Sequence, residues 1–100
     1  MAYKIIWTDS AIGDLQEICS FISKQNAEAA TRVGQELLNH VRILETFPFI
    51  GPAYPRRTSG PVREIVCGKY RVFYSVNETG RLIEVLHVWH GARGEPPAMV

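Results

Sequence analysis

The stretch VREIVCGKYRVFYSVNETGRLIEVLHVWH, residues 62–90, decides the fold, because it contains three apolar runs separated by two turn sequences. The runs are rich in β-branched and aromatic residues, which favour β-strands. They extend from Val62 to Val66, from Tyr70 to Val76 and from Leu82 to Trp89. The intervening sequences Cys67-Gly68-Lys69 and Asn77-Glu78-Thr79-Gly80 suit hairpin turns. We therefore predict a three-stranded meander in this part of the chain.

The residues before this stretch predict one strand and two helices. Tyr3 to Trp7 is apolar and aromatic, and Thr8-Asp9-Ser10 behind it can cap a helix whose apolar residues recur through Ile22. Asn26 offers a second cap, after which one apolar stripe runs for about five helical turns. Its members are Ala30, Val33, Leu37, Val41, Leu44 and Phe47. The short connection between the helices predicts an antiparallel hairpin.

The order β-α-α-β-β-β, with the helices confined to the first half, predicts an α+β fold. We expect the helical hairpin to pack on one face of a small, mainly antiparallel sheet. A chain of 100 residues predicts a single domain, residues 1–100, with its own core. Phe47 to Pro61 is dense in proline and glycine and predicts a loop, and the tail from Gly91 to Val100 is expected to be irregular.

Composition argues against several classes of protein. No apolar stretch approaches the roughly 20 residues that cross a bilayer, and no export signal is recognisable, so we expect a soluble, cytoplasmic protein. Cys19 and Cys67 are too few for a disulfide framework and lack the paired spacing of a zinc site. No phosphate-cradling glycine loop or nucleophile motif is present, and we predict neither a cofactor nor a metal.

Charge is distributed unevenly along the chain. Residues 1–53 carry four cationic and six anionic side chains, net −2, whereas residues 54–100 carry seven cations and four anions, net +3. Six of those seven cations are arginine, whose planar guanidinium suits phosphate and carboxylate groups. The second half therefore favours an anionic partner, either nucleic acid or acidic protein, over a neutral one.

Period-two alternation assigns side chains to the two faces of the predicted sheet. If Val72, Tyr74 and Val76 pack on the helices, Arg71 faces solvent on the other side. In the last strand the same rule groups Trp89 with Ile83, Val85 and His87, and it groups His90 with Leu86 and Val88. The two histidines then diverge, which argues against a metal site between them.

Four further polar residues have ordinary structural interpretations. His87 is expected to be half-buried and hydrogen-bonded, and His40 to pack on the apolar side of its helix. Asp14 and Glu17 share a helix face that we expect to be solvated. Arg93, on a turn of small residues past the last strand, lies where a ligand can approach and can join Arg71 and Arg63 in a cationic patch.

The sequence resembles the RelE/ParE superfamily of bacterial toxins over nearly its whole length. Five features carry the resemblance in order. They are an opening strand that ends in polar caps, SAIGDLQEICSFI (10–22), a second helix ending in LETFPFIG (44–51), the strand GKYRVFYSV (68–76) and IEVLHVWHGAR (83–93). The details FPFIG and VWHGAR look more like the ParE branch than the RelE branch.

The ParE branch implies a toxin that inhibits DNA gyrase and traps its cleaved-DNA complex, with no identified reaction chemistry of its own. Growth inhibition and plasmid stabilisation are the expected biological roles. Either branch implies a cognate antitoxin that wraps the toxin and covers its functional surface, giving a hetero-oligomer. Acidic antitoxin residues are expected to pair with arginines, for which the candidates are Arg56, Arg57, Arg63, Arg71 and Arg93.

The RelE branch is the main alternative, and it implies a metal-free endoribonuclease that cuts messenger RNA on the ribosome. Glu64, Arg71, His90 and Arg93 are the candidate catalytic residues. Two departures count against this branch: Val62 and Glu64 stand where RelE has two lysines, and RelE's tyrosine near the C-terminus has no counterpart. A third possibility is a non-toxic interaction module that keeps the fold to bind a partner protein.

Overall fold

The computed structural model describes residues 2–54 and 61–94, and its elements follow the predicted order. The elements are β1 (Lys4–Trp7), α1 (Asp9–Ser23), α2 (Ala27–Val41), a 3₁₀ turn (Arg42–Glu45), β2 (Arg63–Cys67), β3 (Tyr70–Asn77), β4 (Leu82–His90) and a second 3₁₀ turn (Gly91–Arg93). The strands form one sheet in the order β1-β4-β3-β2. β1 lies parallel to β4, and the other neighbours are antiparallel. The predicted α+β fold with a mainly antiparallel sheet is therefore confirmed.

Both helices begin at the predicted polar caps. The Thr8 hydroxyl accepts a hydrogen bond from the Ala11 N–H at 3.2 Å, and the Asn26 side chain accepts one from the Ala29 N–H at 3.1 Å. These bonds satisfy N–H groups that a helix cannot pair internally. The helix starts are thus determined by local chemistry.

The second helix ends earlier than its apolar stripe predicted. The α-helix stops at Val41 and tightens into the 3₁₀ turn, so the stripe is buried as far as Leu44 while Phe47 is exposed. Phe47 precedes Pro48, and a residue before proline is disfavoured in helical conformation. The prediction that the helical stripe extends to Phe47 is therefore wrong.

The main core lies between the helices and one face of the sheet, called here the helix face. Its buried members from the helical half are Ala11, Leu37, Val41 and Leu44, and those from the sheet are Ile65, Val72, Tyr74, Ile83, Val85 and Val88. Apolar burial at about 25 cal/mol per Å² is the dominant stabilising term for such a layer. This face holds the sheet and the hairpin together.

The opposite side of the sheet, called here the far face, carries a smaller aromatic cluster. Tyr54, Val62 and Phe73 are buried there, and Leu86 and Trp89 pack against them. Tyr54 reaches this face because the segment before it runs beside β2. The Tyr54 N–H donates to the Val62 carbonyl at 2.7 Å, and the Glu64 N–H donates to the Pro52 carbonyl at 3.1 Å. Part of the predicted loop is thus paired with the edge of β2.

A β-bulge in β4 changes which side chains share a face. Phe73 pairs with His87, but the next residue, Tyr74, pairs with Val85, so Leu86 has no partner in β3. The extra residue shifts the alternation. Val88 consequently joins Val85 in the main core, and Trp89 moves to the far-face cluster. The prediction that Trp89 shares a face with Ile83 and Val85 is wrong, because alternation assumes an unbroken ladder.

Within residues 2–54 and 61–94, neither the α-helices nor the 3₁₀ turns have the length and apolar character needed to cross a membrane.

Candidate functional site

Arg71 lies on the far face, as the alternation predicted, but it is sheltered there rather than free in solvent. Its Nε donates to Glu64 Oε2 at 2.8 Å and its Nη2 donates to Glu64 Oε1 at 3.1 Å. The side chains are 23% and 17% exposed, respectively. The Arg71 guanidinium also lies 5.8 Å from the ring centre of Tyr54 and 5.4 Å from that of Phe73. A two-pronged pair stacked on aromatic rings fixes the arginine and neutralises its charge.

Arg63, the second predicted member of the cationic patch, holds the turn that contains FPFIG. Its Nη1 donates to the Gly51 carbonyl at 2.6 Å and to the Phe49 carbonyl at 3.4 Å, and its guanidinium lies 5.0 Å from the Phe49 ring centre. The Gly51 N–H donates to the buried Tyr74 hydroxyl at 3.0 Å. Burial raises the Tyr74 pKa, while the Gly51 hydrogen bond and the charge of Arg63 oppose that rise. Arg63 is therefore a structural anchor of this turn.

His90 lies on the helix face, across the sheet from Arg71. Its ring packs edge-on against Tyr70 at 5.0 Å between ring centres, and its Nδ1 accepts a hydrogen bond from the Ala92 N–H at 3.0 Å. Tyr70 pairs with His90 in the register, whereas Arg71 pairs with Trp89, and residues paired directly across strands point to the same face. The structure thus brings Glu64 and Arg71 together and places His90 apart from them.

Three of the predicted arginines are not characterised by the structure at the level of their side chains. Arg56 and Arg57 lie outside the described residues. Arg93 ends the second 3₁₀ turn, and only its backbone is described. Their predicted roles therefore stay predictions.

Asp14 connects the first helix to the bulge in β4, which its position in the sequence did not indicate. Its Oδ2 accepts a hydrogen bond from the Val88 N–H at 3.0 Å and lies 3.3 Å from His87 Nδ1. β1 pairs with β4 only as far as Val85, so the carboxylate takes the place of the missing strand at this edge. The expectation that Asp14 is simply solvated is wrong, whereas the half-buried, bonded His87 is as predicted.

One other expectation, that for His40, can be checked. His40 is exposed on α2, so the prediction that it packs on the apolar side is wrong. In residues 2–54 and 61–94, no three histidine, cysteine, aspartate or glutamate side chains are grouped closely enough to hold a metal ion.

A large cleft opens between the helical hairpin and the end of the sheet where β2 turns into β3. We call it the hairpin cleft; its volume is about 950 Å³. Apolar side chains line it together with four charged groups, Glu17, Lys24, Glu36 and Lys69. Phe21 is 69% exposed at this cleft. Exposed apolar surface framed by polar groups is typical of a protein-binding site.

Two ionisable groups in the hairpin cleft are adapted to an apolar setting. Burial raises the pKa of the Cys67 thiol, and the charge of Glu36 adds to that rise. Burial also raises the pKa of the Tyr70 hydroxyl, with a smaller contribution from Cys19. Both groups are therefore neutral at physiological pH, which suits a surface that binds apolar side chains.

Solved structures and a family profile show which known proteins this chain resembles. Three solved structures share the fold. A chain of the chromosomal ParDE toxin–antitoxin system from P. aeruginosa has a TM-score of 0.74 and 21% identity, with 89% of this chain and 96% of that chain covered. A chain of the RelBE2 toxin–antitoxin complex from Mycobacterium tuberculosis has a TM-score of 0.70 and 18% identity, with coverages of 90% and 92%, and one of the archaeal RelE-RelB complex from Pyrococcus horikoshii has a TM-score of 0.64 and 22% identity, with coverages of 96% and 100%. No curated protein sequence matches significantly. The profile of the family described as "ParE toxin of type II toxin-antitoxin system, parDE" matches residues 5–94. Since this match spans nearly all of the sequence, the chain belongs to the ParE toxin family of type II toxin–antitoxin systems.

Proposed function

We propose that this chain inhibits DNA gyrase in the cytoplasm and that a cognate antitoxin neutralises it by forming a hetero-oligomer with it. Membership of the ParE toxin family supports the first part. The observation that carries the choice against a ribonuclease is the engagement of Arg71 by Glu64 on the far face, with His90 on the other side of the sheet.

RNA cleavage without a metal needs a base, an acid and a charge-stabilising cation around one phosphate. Glu64 and Arg71 instead satisfy each other, and the ring of His90 is packed on Tyr70. Opening the pair would expose a carboxylate and a guanidinium that are now sheltered together. This arrangement favours a toxin that acts by binding its target, and Arg71 then has a structural role.

The first experiment compares two activities of the purified chain after it has been freed from its antitoxin. Gyrase supercoiling and cleavage-complex formation are measured beside ribosome-dependent cleavage of messenger RNA. We expect gyrase inhibition with intact RNA, and we expect Arg71→Lys to retain that inhibition. RNA cleavage that disappears in Arg71→Lys would instead establish the ribonuclease. Harmless expression of folded protein without antitoxin would indicate an interaction module.

We further propose that the hairpin cleft receives an apolar segment of the antitoxin. The cleft combines an apolar lining with charges of both signs. A groove of this kind binds an amphipathic helix by receiving its apolar face. Phe21→Asp, which places a carboxylate at the cleft, should weaken antitoxin binding by about 100-fold or more. Phe47→Asp is the matched control, because Phe47 is also an exposed phenylalanine but lies outside the cleft. Equal affinities of the two variants would contradict this assignment.

The arginine candidates for antitoxin contact separate into two groups. Arg63 and Arg71 are engaged within the fold, so replacing either with glutamate should lower the stability of the toxin as well as its affinity. Arg56, Arg57 and Arg93 remain the candidates for direct ion pairs with acidic antitoxin residues. Replacing each of them with glutamate should lower the affinity of the toxin for the antitoxin. If the affinity for the antitoxin were unchanged after all three replacements, this proposal would be wrong.

A further inference from the structure

An exposed apolar surface lies beside the outer edge of β2, on a part of the molecule that does not contribute to the hairpin cleft. We call it the β2-edge patch and define it by its exposed side chains: Ile43, Phe47, Phe49, Ile50 and Val66. Three of them, Ile43, Ile50 and Val66, line a cavity of about 500 Å³. The patch therefore combines projecting aromatic side chains with a hollow.

The size of the patch can be compared with that of a protein interface. Ile50, Phe47 and Val66 are 54%, 55% and 60% exposed, and the whole patch presents roughly 400 to 500 Å² of apolar side-chain surface. A standard interface buries about 800 Å² per partner, of which somewhat more than half is apolar. The β2-edge patch thus matches the apolar share of one side of a stable interface.

The projecting part of the patch is held rigidly. Arg63 binds the carbonyls of Phe49 and Gly51, and the buried Tyr74 hydroxyl accepts the Gly51 N–H. Gly51 itself is packed so closely on β2 that an added Cβ would lie 2.4 Å from the Glu64 carbonyl oxygen. An exposed turn that is anchored in this way loses little conformational entropy on binding, which favours association.

The backbone of β2 adds a second feature to the patch. The segment from Pro52 to Tyr54 pairs with β2 through the outward-facing groups of Val62 and Glu64. Because alternate residues of a strand point to the same side, the N–H and C=O of Val66 also face outward, beyond the end of this segment. Neither group has a hydrogen-bond partner among the described residues. An open strand edge is a template for another strand.

We propose that the β2-edge patch binds the same patch on a second copy of this chain, forming a two-fold symmetric dimer. A two-fold axis at Val66 would let each copy donate its Val66 N–H to the other's Val66 carbonyl, giving two reciprocal hydrogen bonds. In a two-fold dimer, the projecting side chains of each copy can fit against the cavity of the other. Its cavity is bordered by the neutralised Glu64–Arg71 pair and His40, so two copies approach without strong repulsion.

Sedimentation equilibrium of the purified chain, from about 1 to about 200 µM, tests the proposal, because a reversible dimer depends on protein concentration. We expect a monomer–dimer equilibrium in the wild type. Ile50→Asp should raise the dimer dissociation constant by about 100-fold or more, since it places two carboxylates in the interface. Phe21→Asp, in the hairpin cleft, is the control and should leave the constant unchanged. A wild type that stays monomeric throughout, or a dimer that survives Ile50→Asp, would overturn the proposal.

Strand pairing at Val66 is tested with two substitutions that differ in one donor. Val66→Pro removes the outward N–H without breaking a bond to β3, as proline is tolerated at a strand edge, whereas Val66→Thr keeps the N–H and the strand preference. We expect Val66→Pro to weaken the dimer about tenfold or more and Val66→Thr less than about threefold. Circular dichroism checks that each variant is folded. Equal dimer constants for the two variants would overturn pairing at this residue.

Discussion

Within residues 2–54 and 61–94, the two faces of the sheet are built from the same strands but are covered by different kinds of structure. The helix face is buried under the whole helical hairpin, and its main core draws residues from every strand except β1 into the fully buried set. On the far face, the described cover includes Tyr54 and the short segment before it, which pairs with the edge of β2. The main core is built from apolar and aromatic side chains, whereas the far face also accommodates the Glu64–Arg71 pair, whose charges satisfy each other.

This difference explains why a polar residue that looks functional can be structural. On the helix face Arg71 would be an uncompensated charge, and on an open surface it would be free to bind phosphate. Beside the aromatic rings of Tyr54 and Phe73 it is instead stacked and paired. The far face therefore holds its arginine in a neutralised pair, whereas exposed apolar side chains of the described residues lie at the cleft and at the β2 edge.

The largest expected effect comes from displacing the segment that leads to Tyr54 on the far face. Gly51→Ala would place a methyl group 2.4 Å from the Glu64 carbonyl oxygen and 2.8 Å from the Tyr74 hydroxyl, so the segment that leads to Tyr54 must move. We expect a loss of about 4 kcal/mol in the free energy of unfolding, measured by urea denaturation. Gly13→Ala is the control, because an added Cβ meets nothing within 4 Å on α1; it should stabilise by about 0.5 to 1 kcal/mol.

A leucine-to-alanine substitution on each face compares how deeply the two faces are packed, through the loss in the free energy of unfolding. Leu37→Ala empties a site that is 1% exposed under the helix face and should cost about 3 kcal/mol. Leu86→Ala removes a half-buried side chain from the far face and should cost about 1 kcal/mol, because part of that site is already hydrated. Thermal and urea denaturation give both values. Equal losses would show that the far face is as deeply packed as the helix face.

The polar content of the far face is tested by Arg71→Lys. Lysine keeps the charge but loses the two-pronged geometry and the stacking on Tyr54 and Phe73, so we expect a loss of about 1 kcal/mol. Arg32→Lys on the exposed side of α2 should change stability by less than about 0.3 kcal/mol. If the Arg71 variant were as stable as the wild type in the same denaturation experiment, the pair would be no more than a surface contact.

The smallest expected effect is the loss of stability at alkaline pH caused by Tyr74, a main-core residue whose hydroxyl binds the Gly51 N–H of the segment that leads to Tyr54. Burial raises the Tyr74 pKa above its ordinary value of 10.0. Its folded pKa thus exceeds its unfolded pKa, so the stabilising contribution is complete below the unfolded value and is lost as the pH rises through the folded value. We expect stability to decline above about pH 10, and Tyr74→Phe should make the decline shallower. If stability declined with pH identically in the wild type and in Tyr74→Phe, Tyr74 would not be a cause of the decline. Cys67 and Tyr70, whose pKa values are also raised, contribute in the same direction in both proteins.

Much of the fold was predictable because its signals are local. Strand runs, hairpin turns and the caps at Thr8 and Asn26 each depend on a few neighbouring residues, and each is found where it was predicted. The end of α2 was missed, because the apolar stripe continues through the 3₁₀ turn to Leu44 and so does not mark where the α-helix stops. The placement of Arg71 on the far face also followed from alternation, because β3 is continuous at that point.

The sequence by itself therefore determined the order of elements, the fold class and the family, since these depend on short-range patterns and on motifs read in order. Only the tertiary structure decided which polar groups are engaged. Three of these arrangements arise from contacts between residues distant in the chain. At the bulge, the Val88 N–H donates to Asp14, and the segment before Tyr54 brings that ring over Arg71. His90 packs on Tyr70 on the side of the sheet opposite Arg71. Such contacts are selected by packing and by the need to pair every buried polar group, and neither condition is visible in a local pattern.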